Sequence, residues 1–115
     1  MLHAIEKEGN VIILRILEDL GSHNATPFRE LIEKTADRGY ERVVLDFTGV
    51  KFISSMAITS LFGIYKKLKN GGGGLGIVGI SPELAKIFEL VGLPSLVRTF
   101  SSQQEALAFL QEGDV

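Results

Sequence analysis

The chain has 115 residues, a formal net charge of −2, two histidines and no cysteine. This length favours a single domain, and the lack of cysteine excludes disulfides, Cys-ligated metals and thiol nucleophiles. A slightly acidic chain is also poorly suited to nucleic acid, whose phosphates attract clustered cations. We therefore expect no direct nucleic-acid partner.

The sequence up to residue 40 predicts a hairpin followed by a helix. A turn at Gly9-Asn10 leads into the strongly apolar strand Val11 to Ile16. After a polar loop, Pro27 falls in the first turn of a helix, where its missing N–H costs nothing. Gly39 follows the last helical residues and ends that helix.

The rest of the chain alternates strands and helices. The run Arg42 to Phe47 is typical of a strand covered on both faces, because it contains three consecutive apolar residues. Apolar spacing and helix-start signals predict the remaining elements: a helix along Ile58 to Leu68, a strand at Leu75 to Ile80, a helix opened by Ser81-Pro82-Glu83, an edge strand within Ser95 to Phe100 and a last helix opened by the capping box Ser102 to Glu105.

The order β-β-α-β-α-β-α-β-α predicts an α/β fold, since helices between strands act as crossovers between parallel neighbours. We expect one domain over residues 1–115, with a core at about 2–111. Its mixed, mostly parallel sheet would have four or five strands and would pack against four helices.

Three glycines, Gly71, Gly73 and Gly76, match the G-x-G-x-x-G spacing of dinucleotide-binding loops. In that motif the glycines follow a strand and open a helix, whereas these follow a helix and precede a strand. We therefore predict a helix C-cap and a loop, in which glycine supplies positive φ angles, and no nucleotide cofactor.

Candidate catalytic and metal-binding groups are few. Asp46 ends a predicted strand, where many α/β enzymes place a carboxylate, but no partner base or metal cluster is evident beside it. We expect its side chain to be solvated. His3 and His23 lie at the edges of predicted elements, and a histidine metal site or a catalytic triad would need both. The sequence predicts no catalytic residue, no metal and no cofactor.

No segment has the pattern of a signal peptide or a membrane span. The N-terminus lacks an apolar region after a basic one. The uncharged stretch from Phe52 to Tyr65 is shorter than the roughly 20 apolar residues that cross a bilayer. We expect a cytoplasmic protein without membrane insertion.

Two adjacent serines, Ser54 and Ser55, lie between the third predicted strand and the following helix. A hydroxyl before a helix caps its unpaired N–H groups and stabilises it by about 1 kcal/mol. The same place suits a phosphate, because a helix N-terminus carries partial positive charge. Phosphorylation would add about −1.5 to −2 charges beside the apolar Phe52, Met56 and Ile58. One hydroxyl here can therefore act as a binary switch of partner binding.

Three segments carry a family resemblance: "VVLDF-x-x-V-x-FI" before the serine pair, "LFGIYKKLKNGGG" after it, and "IVGISPELAKIFELVGL". From about Val11 to Ala108 the chain resembles the STAS domain family, the anti-sigma-factor antagonists and their relatives. The resemblance implies a small α/β domain without catalytic activity, which binds an anti-sigma factor that is also a serine kinase. Phosphorylation of one serine breaks that complex, and a phosphatase resets it.

The acceptor motif of the family is usually Asp-Ser-Ser/Thr-Gly-Leu. The resemblance places Ser55 at the phosphoacceptor position of this motif. Ser54 takes the place of the motif's aspartate and is the second candidate for the phosphoacceptor. A second signature, Gly-x-Leu-Asp, has Gly21 here in place of its aspartate. The implied partner-binding residues are Phe52, Ser54, Ser55, Met56, Ala57, Ile58, Gly21, Ser22 and His23.

Two alternatives stay open. Ser54 and Gly21 stand where the family motifs have aspartate. These changes favour a constitutive, non-phosphorylated STAS adaptor subunit of a signalling scaffold or of a lipid-transport ABC complex. In that case Met56, Ala57 and Ile58 would form a permanent contact. A small enzyme or ligand-binding protein is the third hypothesis, although no paired-carboxylate signature supports it. The sequence does not indicate the oligomeric state.

Overall fold

The computed structural model of the protein describes residues 2–111. Its strands are β1 (His3–Glu8), β2 (Val11–Ile16), β3 (Arg42–Asp46), β4 (Gly74–Val78) and β5 (Arg98–Phe100). Its helices are α1 (Ala25–Asp37), α2 (Ser55–Asn70), α3 (Pro82–Leu90) and α4 (Gln103–Gln111), and a 3-10 turn spans Leu93–Ser95. The predicted order of strands and helices is confirmed.

These strands form one sheet in the order β1-β2-β3-β4-β5. β1 is antiparallel to β2, while every other neighbouring pair is parallel. The predicted mixed, mostly parallel sheet is confirmed, and the short β5 lies at an edge as expected. Because β2, β3 and β4 are parallel, their carboxyl ends lie at the same edge of the sheet, and the loops that follow them meet there.

Helices cover both faces of the sheet. Successive residues of a strand point to opposite faces, so β2 contributes to two separate cores. Leu14 packs with residues of α1, α2 and α3 in the larger core. Val11 and Ile13 pack with Ala106 and Leu110 of α4 on the other face. This covering on both sides explains why the centre of β3, Val43 to Leu45, and the whole of β4 are apolar and buried.

The predicted helix starts are confirmed by their hydrogen bonds. The Leu84 N–H donates to Ser81 Oγ at 3.1 Å, and the Glu105 N–H donates to Ser102 Oγ at 3.2 Å. Pro27 lies in the first turn of α1, as its sequence position predicts. Across residues 2–111, no helix combines the length and the apolar composition that crossing a membrane requires.

The glycine-rich segment after α2 is a loop, as predicted, but its glycines act in different ways. Gly71 caps α2 with a φ of −82°, so the positive φ belongs to Gly72, at 85°. Gly73 allows a close approach instead, because a Cβ there would lie 1.8 Å from the Glu41 carbonyl oxygen. The loop ends in a strand and opens no helix, so it does not form a phosphate-binding turn of the dinucleotide type.

Candidate functional site

The start of α2 is fixed by Ser54. Its backbone is extended, with a φ of −78° and a ψ of 163°, and its Oγ accepts a hydrogen bond from the Ala57 N–H at 3.2 Å. Its carbonyl oxygen accepts the first helical hydrogen bond, from the Ile58 N–H at 3.0 Å. The capping role expected for Ser54 is therefore confirmed.

Replacing Ser54 by alanine should destabilise the domain by about 1 kcal/mol, because the Ala57 N–H loses its partner at the helix N-terminus. Urea unfolding measures this change. Ser55→Ala is the matched control and should stay within about 0.5 kcal/mol of the wild type, since the Ser55 hydroxyl accepts and donates no hydrogen bond in residues 2–111. Equal losses for both variants would contradict the assignment of the cap.

Ser55 is the first residue of α2 and is exposed. Its hydroxyl makes no hydrogen bond to any residue in 2–111, whereas its carbonyl oxygen accepts one from the Thr59 hydroxyl at 3.0 Å. The N–H groups of a first helical turn have no intrahelical partners, and the helix dipole places about half a positive charge there. The Ser55 hydroxyl is therefore accessible from solvent, at a helix N-terminus of the kind that favours bound anions.

The loop after β2 lies against the segment that leads into α2. The Asp19 Oδ1 accepts hydrogen bonds from the Lys51 N–H at 2.7 Å and from the Phe52 N–H at 3.2 Å. Leu20 forms an isolated parallel bridge to Ile53. Its N–H donates to the Phe52 carbonyl at 3.0 Å, and its carbonyl accepts from the Ser54 N–H at 2.7 Å. These bonds hold the loop residues 21–23 beside the start of α2.

Asn24 closes this loop. Its Oδ1 accepts from the Gly21 N–H at 2.8 Å, and its Nδ2 donates to the Asp19 carbonyl at 2.9 Å. Within the loop, a Cβ on Gly21 would lie 2.9 Å from His23 Nδ1. His23 therefore sits where an aspartate side chain at position 21 would project. Sequence reasoning assigned no role to Asp19 or Asn24, although Asx side chains in loops commonly bond the nearby backbone.

Three exposed apolar side chains lie on the segments that meet at the start of α2. Leu17, Phe52 and Met56 are 48%, 54% and 52% exposed. We call them the apolar rim. Phe52 and Met56 belong to the predicted partner surface, whereas Leu17 was not predicted. An open groove of about 460 Å³ between α1 and α2 continues from Met56 and Thr59 toward Arg29 and Glu30.

Two residues of the predicted partner surface lie in the core instead. Ala57 is 0% exposed and Ile58 is 8% exposed, and both belong to the core under α2. They follow Met56 on the helix, whose rotation of about 100° per residue turns them toward the sheet. Their side chains cannot touch a partner docked on the folded domain, so the contact surface we predicted is narrowed to exclude them.

The prediction that Asp46 is solvated is wrong. The residue is 9% exposed, and its Oδ1 accepts from the Thr48 N–H at 2.9 Å and from the Thr48 hydroxyl at 2.6 Å. Its Oδ2 accepts from Gln103 Nε2 at 3.0 Å, and the Arg15 guanidinium lies 4.0 Å away. The carboxylate thus ties the end of β3 to α4. No group of three or more His, Asp and Glu side chains within residues 2–111 is placed to hold a metal ion.

Burial alone would raise the pKa of Asp46, but the hydrogen bonds from Thr48 and Gln103 and the charge of Arg15 outweigh it and hold this pKa below its usual value. A lowered pKa in the folded state adds stability above the unfolded-state value of about 3.9, and that stability is lost as the pH falls through the folded value.

Asp46→Asn should therefore destabilise the domain by about 1–2 kcal/mol at pH 7, since the carboxylate's hydrogen bonds are weakened. The difference from the wild type should shrink as the pH falls below about 4, because the unfolded wild type then takes up a proton that the folded carboxylate resists. Urea unfolding across this pH range measures it. Glu30→Gln, which changes an exposed carboxylate, is the control, and its stability difference from the wild type should not shrink in this way. A stability difference for Asp46→Asn that is the same at pH 7 and pH 3 would contradict this account.

The fold and the site together define a small α/β domain with an exposed serine at the start of its second helix. Residues 3–106 match the family model described as STAS domain. The chain therefore belongs to the STAS domain family, as its sequence motifs indicated.

Relatives and solved structures agree with this assignment. An anti-sigma F factor antagonist from Paenibacillus polymyxa is 23% identical over 108 residues, which are 93% of this chain and 92% of the relative. The crystal structure of a candidate anti-sigma factor antagonist from Thermotoga maritima matches with a TM-score of 0.90 at 21% identity, covering 95% of this chain and 94% of that chain. The phosphorylated form of the Bacillus cell fate determinant SpoIIAA matches with a TM-score of 0.72 at 19% identity, covering 93% and 97%. The structural matches establish the shared fold.

Proposed function

We propose that this protein is an anti-sigma-factor antagonist. It binds an anti-sigma factor that is also a serine kinase, and phosphorylation of Ser55 by that kinase ends the complex. The observation that carries the proposal is the exposed Ser55 hydroxyl, which has no hydrogen-bond partner in residues 2–111 and lies at the first residue of α2. The Paenibacillus relative, an anti-sigma F factor antagonist, supports the same role.

The partner docks around Ser55 in this proposal. The apolar rim contributes to the binding free energy, because docking removes its exposed apolar side chains from water. Gly21, Ser22 and His23 supply polar contacts from the adjoining loop, which Asp19 and Asn24 hold in place. Phosphorylation adds about −1.5 to −2 charges in the middle of this surface. Docking would then have to desolvate the phosphate, which opposes binding.

The same geometry favours the phosphorylated state of the free protein. A phosphate on Ser55 would lie near the unpaired N–H groups of the first turn of α2 and the positive end of its dipole. The modified chain is then stable but unable to dock, so a phosphatase is needed to reset it. In this role the protein works in the cytoplasm as a binding module without catalysis, cofactor or direct contact with nucleic acid.

The decisive experiment incubates the protein with ATP and the anti-sigma factor kinase of the same organism and maps modified residues by mass spectrometry. We expect one phosphate, on Ser55, and no incorporation into Ser55→Ala. A Ser54→Ala variant should still be modified, although more slowly if its helix start is frayed. If Ser55 stays unmodified while the partner binds, the switch is refuted and the docking role survives. If the partner does not bind the wild type, the antagonist role itself fails.

A second candidate is a constitutive STAS adaptor subunit of a signalling scaffold or a lipid-transport ABC complex. The apolar rim favours it, because such a surface can dock a partner without any modification. Purification of the protein from its native cells decides between the two. Recovery with membrane ATPase components, and with Ser55 unmodified, would favour the adaptor, whereas recovery with a sigma-factor regulator would favour the antagonist.

A further inference from the structure

The edge of the sheet beside β4 has a small open hollow. β5 starts at Arg98, which pairs with Gly76, so the first two residues of β4, Gly74 and Leu75, extend beyond it. The second half of α2 and the last turns of α4 border this uncovered part of the edge and leave a hollow of about 180 Å³. It lies at the amino ends of the parallel strands, whereas Ser55 follows the carboxyl end of β3, so the two sites are separate.

The walls of the hollow are apolar. Leu75 is 3% exposed and belongs to the larger core, and Phe109 packs against Phe100 with the two ring centroids 5.5 Å apart. Leu96 also lines the hollow and is 44% exposed. A cavity of about 150 Å³ with aliphatic and aromatic walls binds one benzene molecule. This hollow therefore has room for one six-membered ring.

Three residues that carry hydrogen-bond donors line the same hollow, namely Tyr65, Lys69 and Arg98. Within residues 2–111, none of their side chains forms a hydrogen bond or an ion pair. Lys69 is half-buried, and the Arg98 guanidinium lies over the Phe109 ring, 4.6 Å from its centroid. A guanidinium stacked in this way keeps the N–H groups at its edge free for an acceptor. None of the residues that line the hollow is acidic, so its two positive charges have no counter-charge there.

A small organic anion would satisfy both the charges and the walls. Two like charges beside one hollow repel each other, and an anion bound between them replaces that repulsion with attraction. A carboxylate suits this place, because arginine donates two parallel hydrogen bonds to it. An apolar body attached to the carboxylate would leave water for the walls of the hollow. We propose that this chain binds a carboxylic acid with a single aromatic ring, of the size of benzoate. Its carboxylate lies between Lys69 and Arg98, and its ring packs against Leu75 and Phe109.

Titration of the isotope-labelled full chain with benzoate, followed by NMR at constant ionic strength, tests the proposal. The backbone amide signals of Tyr65, Leu75 and Phe109 should shift and saturate, with a dissociation constant of about 1 mM or lower, as expected for so small a ligand. Benzamide has the same ring without the charge and should bind at least about tenfold more weakly, because hydrogen bonds to a charged group are stronger. Acetate has the charge without the ring and should also bind at least about tenfold more weakly, because it removes little apolar surface from water.

Variants of the two cations test the geometry of the site. Lys69→Met and Arg98→Met keep an apolar stem, so both should stay folded, and each should weaken benzoate binding at least about tenfold. Lys66→Met is the matched control, because Lys66 is exposed on the same helix but does not line the hollow, and it should bind benzoate as the wild type does. The proposal is overturned if benzoate causes no saturable shift of these amide signals up to about 10 mM, roughly ten times the expected dissociation constant. It is also overturned if benzamide or acetate binds as tightly as benzoate, or if Lys66→Met loses as much affinity as Lys69→Met.

Discussion

Replacing Gly79 by alanine should destabilise the domain by about 3 kcal/mol or more, because two separate costs coincide at this residue. Gly79 follows β4 with a φ of 75°, in the left-handed region that side chains disfavour. A Cβ there would also lie 2.4 Å from Thr48 Oγ1 and 2.9 Å from both the Thr48 backbone nitrogen and Asp46 Oδ1. The substitution would therefore disturb the turn that fixes Asp46. Thermal and urea unfolding measure the loss.

Two further variants separate the two costs. Gly39→Ala is the matched control, because Gly39 also has a positive φ, 95°, but an added Cβ there meets nothing within 4 Å. It should cost about 1–2 kcal/mol, the backbone cost alone. Adding Thr48→Ala to Gly79→Ala removes the closest atom, so the double variant should lose less stability than the sum of the two single losses. If Gly79→Ala and Gly39→Ala lose the same stability, the close contacts of an added Cβ at Gly79 do not contribute to the loss.

The fold could be predicted from the sequence because its determinants are local. The Ser81-Pro82-Glu83 and Ser102–Glu105 signals start helices with bonds made inside a single turn, and the structure confirms them. The continuous apolar runs of β3 and β4 report burial on both faces. Helices between such strands leave parallel pairing as the simplest arrangement.

The parts that could not be predicted depend on contacts between distant residues. The burial of Asp46 depends on Gln103, which lies 57 positions away and reaches it only because α4 packs over β3. The bonds from Asp19 to the backbone of Lys51 and Phe52 need two loops to meet at one edge of the sheet. The rotation of α2 decides that Met56 is exposed and Ala57 is buried, and the residue types of a short motif do not fix that rotation.

Replacing Ser55 by aspartate should weaken docking of the anti-sigma factor partner by about 10- to 100-fold, whereas Ser55→Ala should change it by less than about threefold. The physical reason is the placement of the new charge. Ser55 is exposed at the start of α2, next to Met56 of the apolar rim, so a partner that covers the rim must also cover the carboxylate. Burying an unpaired charge is costly. Isothermal titration calorimetry with the purified partner measures both affinities.

Stability gives this prediction an internal check. An acidic residue in the first turn of a helix interacts favourably with the dipole, by about 0.3–1 kcal/mol, so Ser55→Asp should unfold at the same urea concentration as the wild type or at a higher one. Loss of binding in a variant that is at least as stable cannot come from unfolding. Ser95→Asp adds the same charge in the 3-10 turn, at the other end of the domain, and should leave docking unchanged. If Ser55→Asp and Ser55→Ala bind equally well, a negative charge at this helix start does not control docking, and the apolar rim alone carries the interaction.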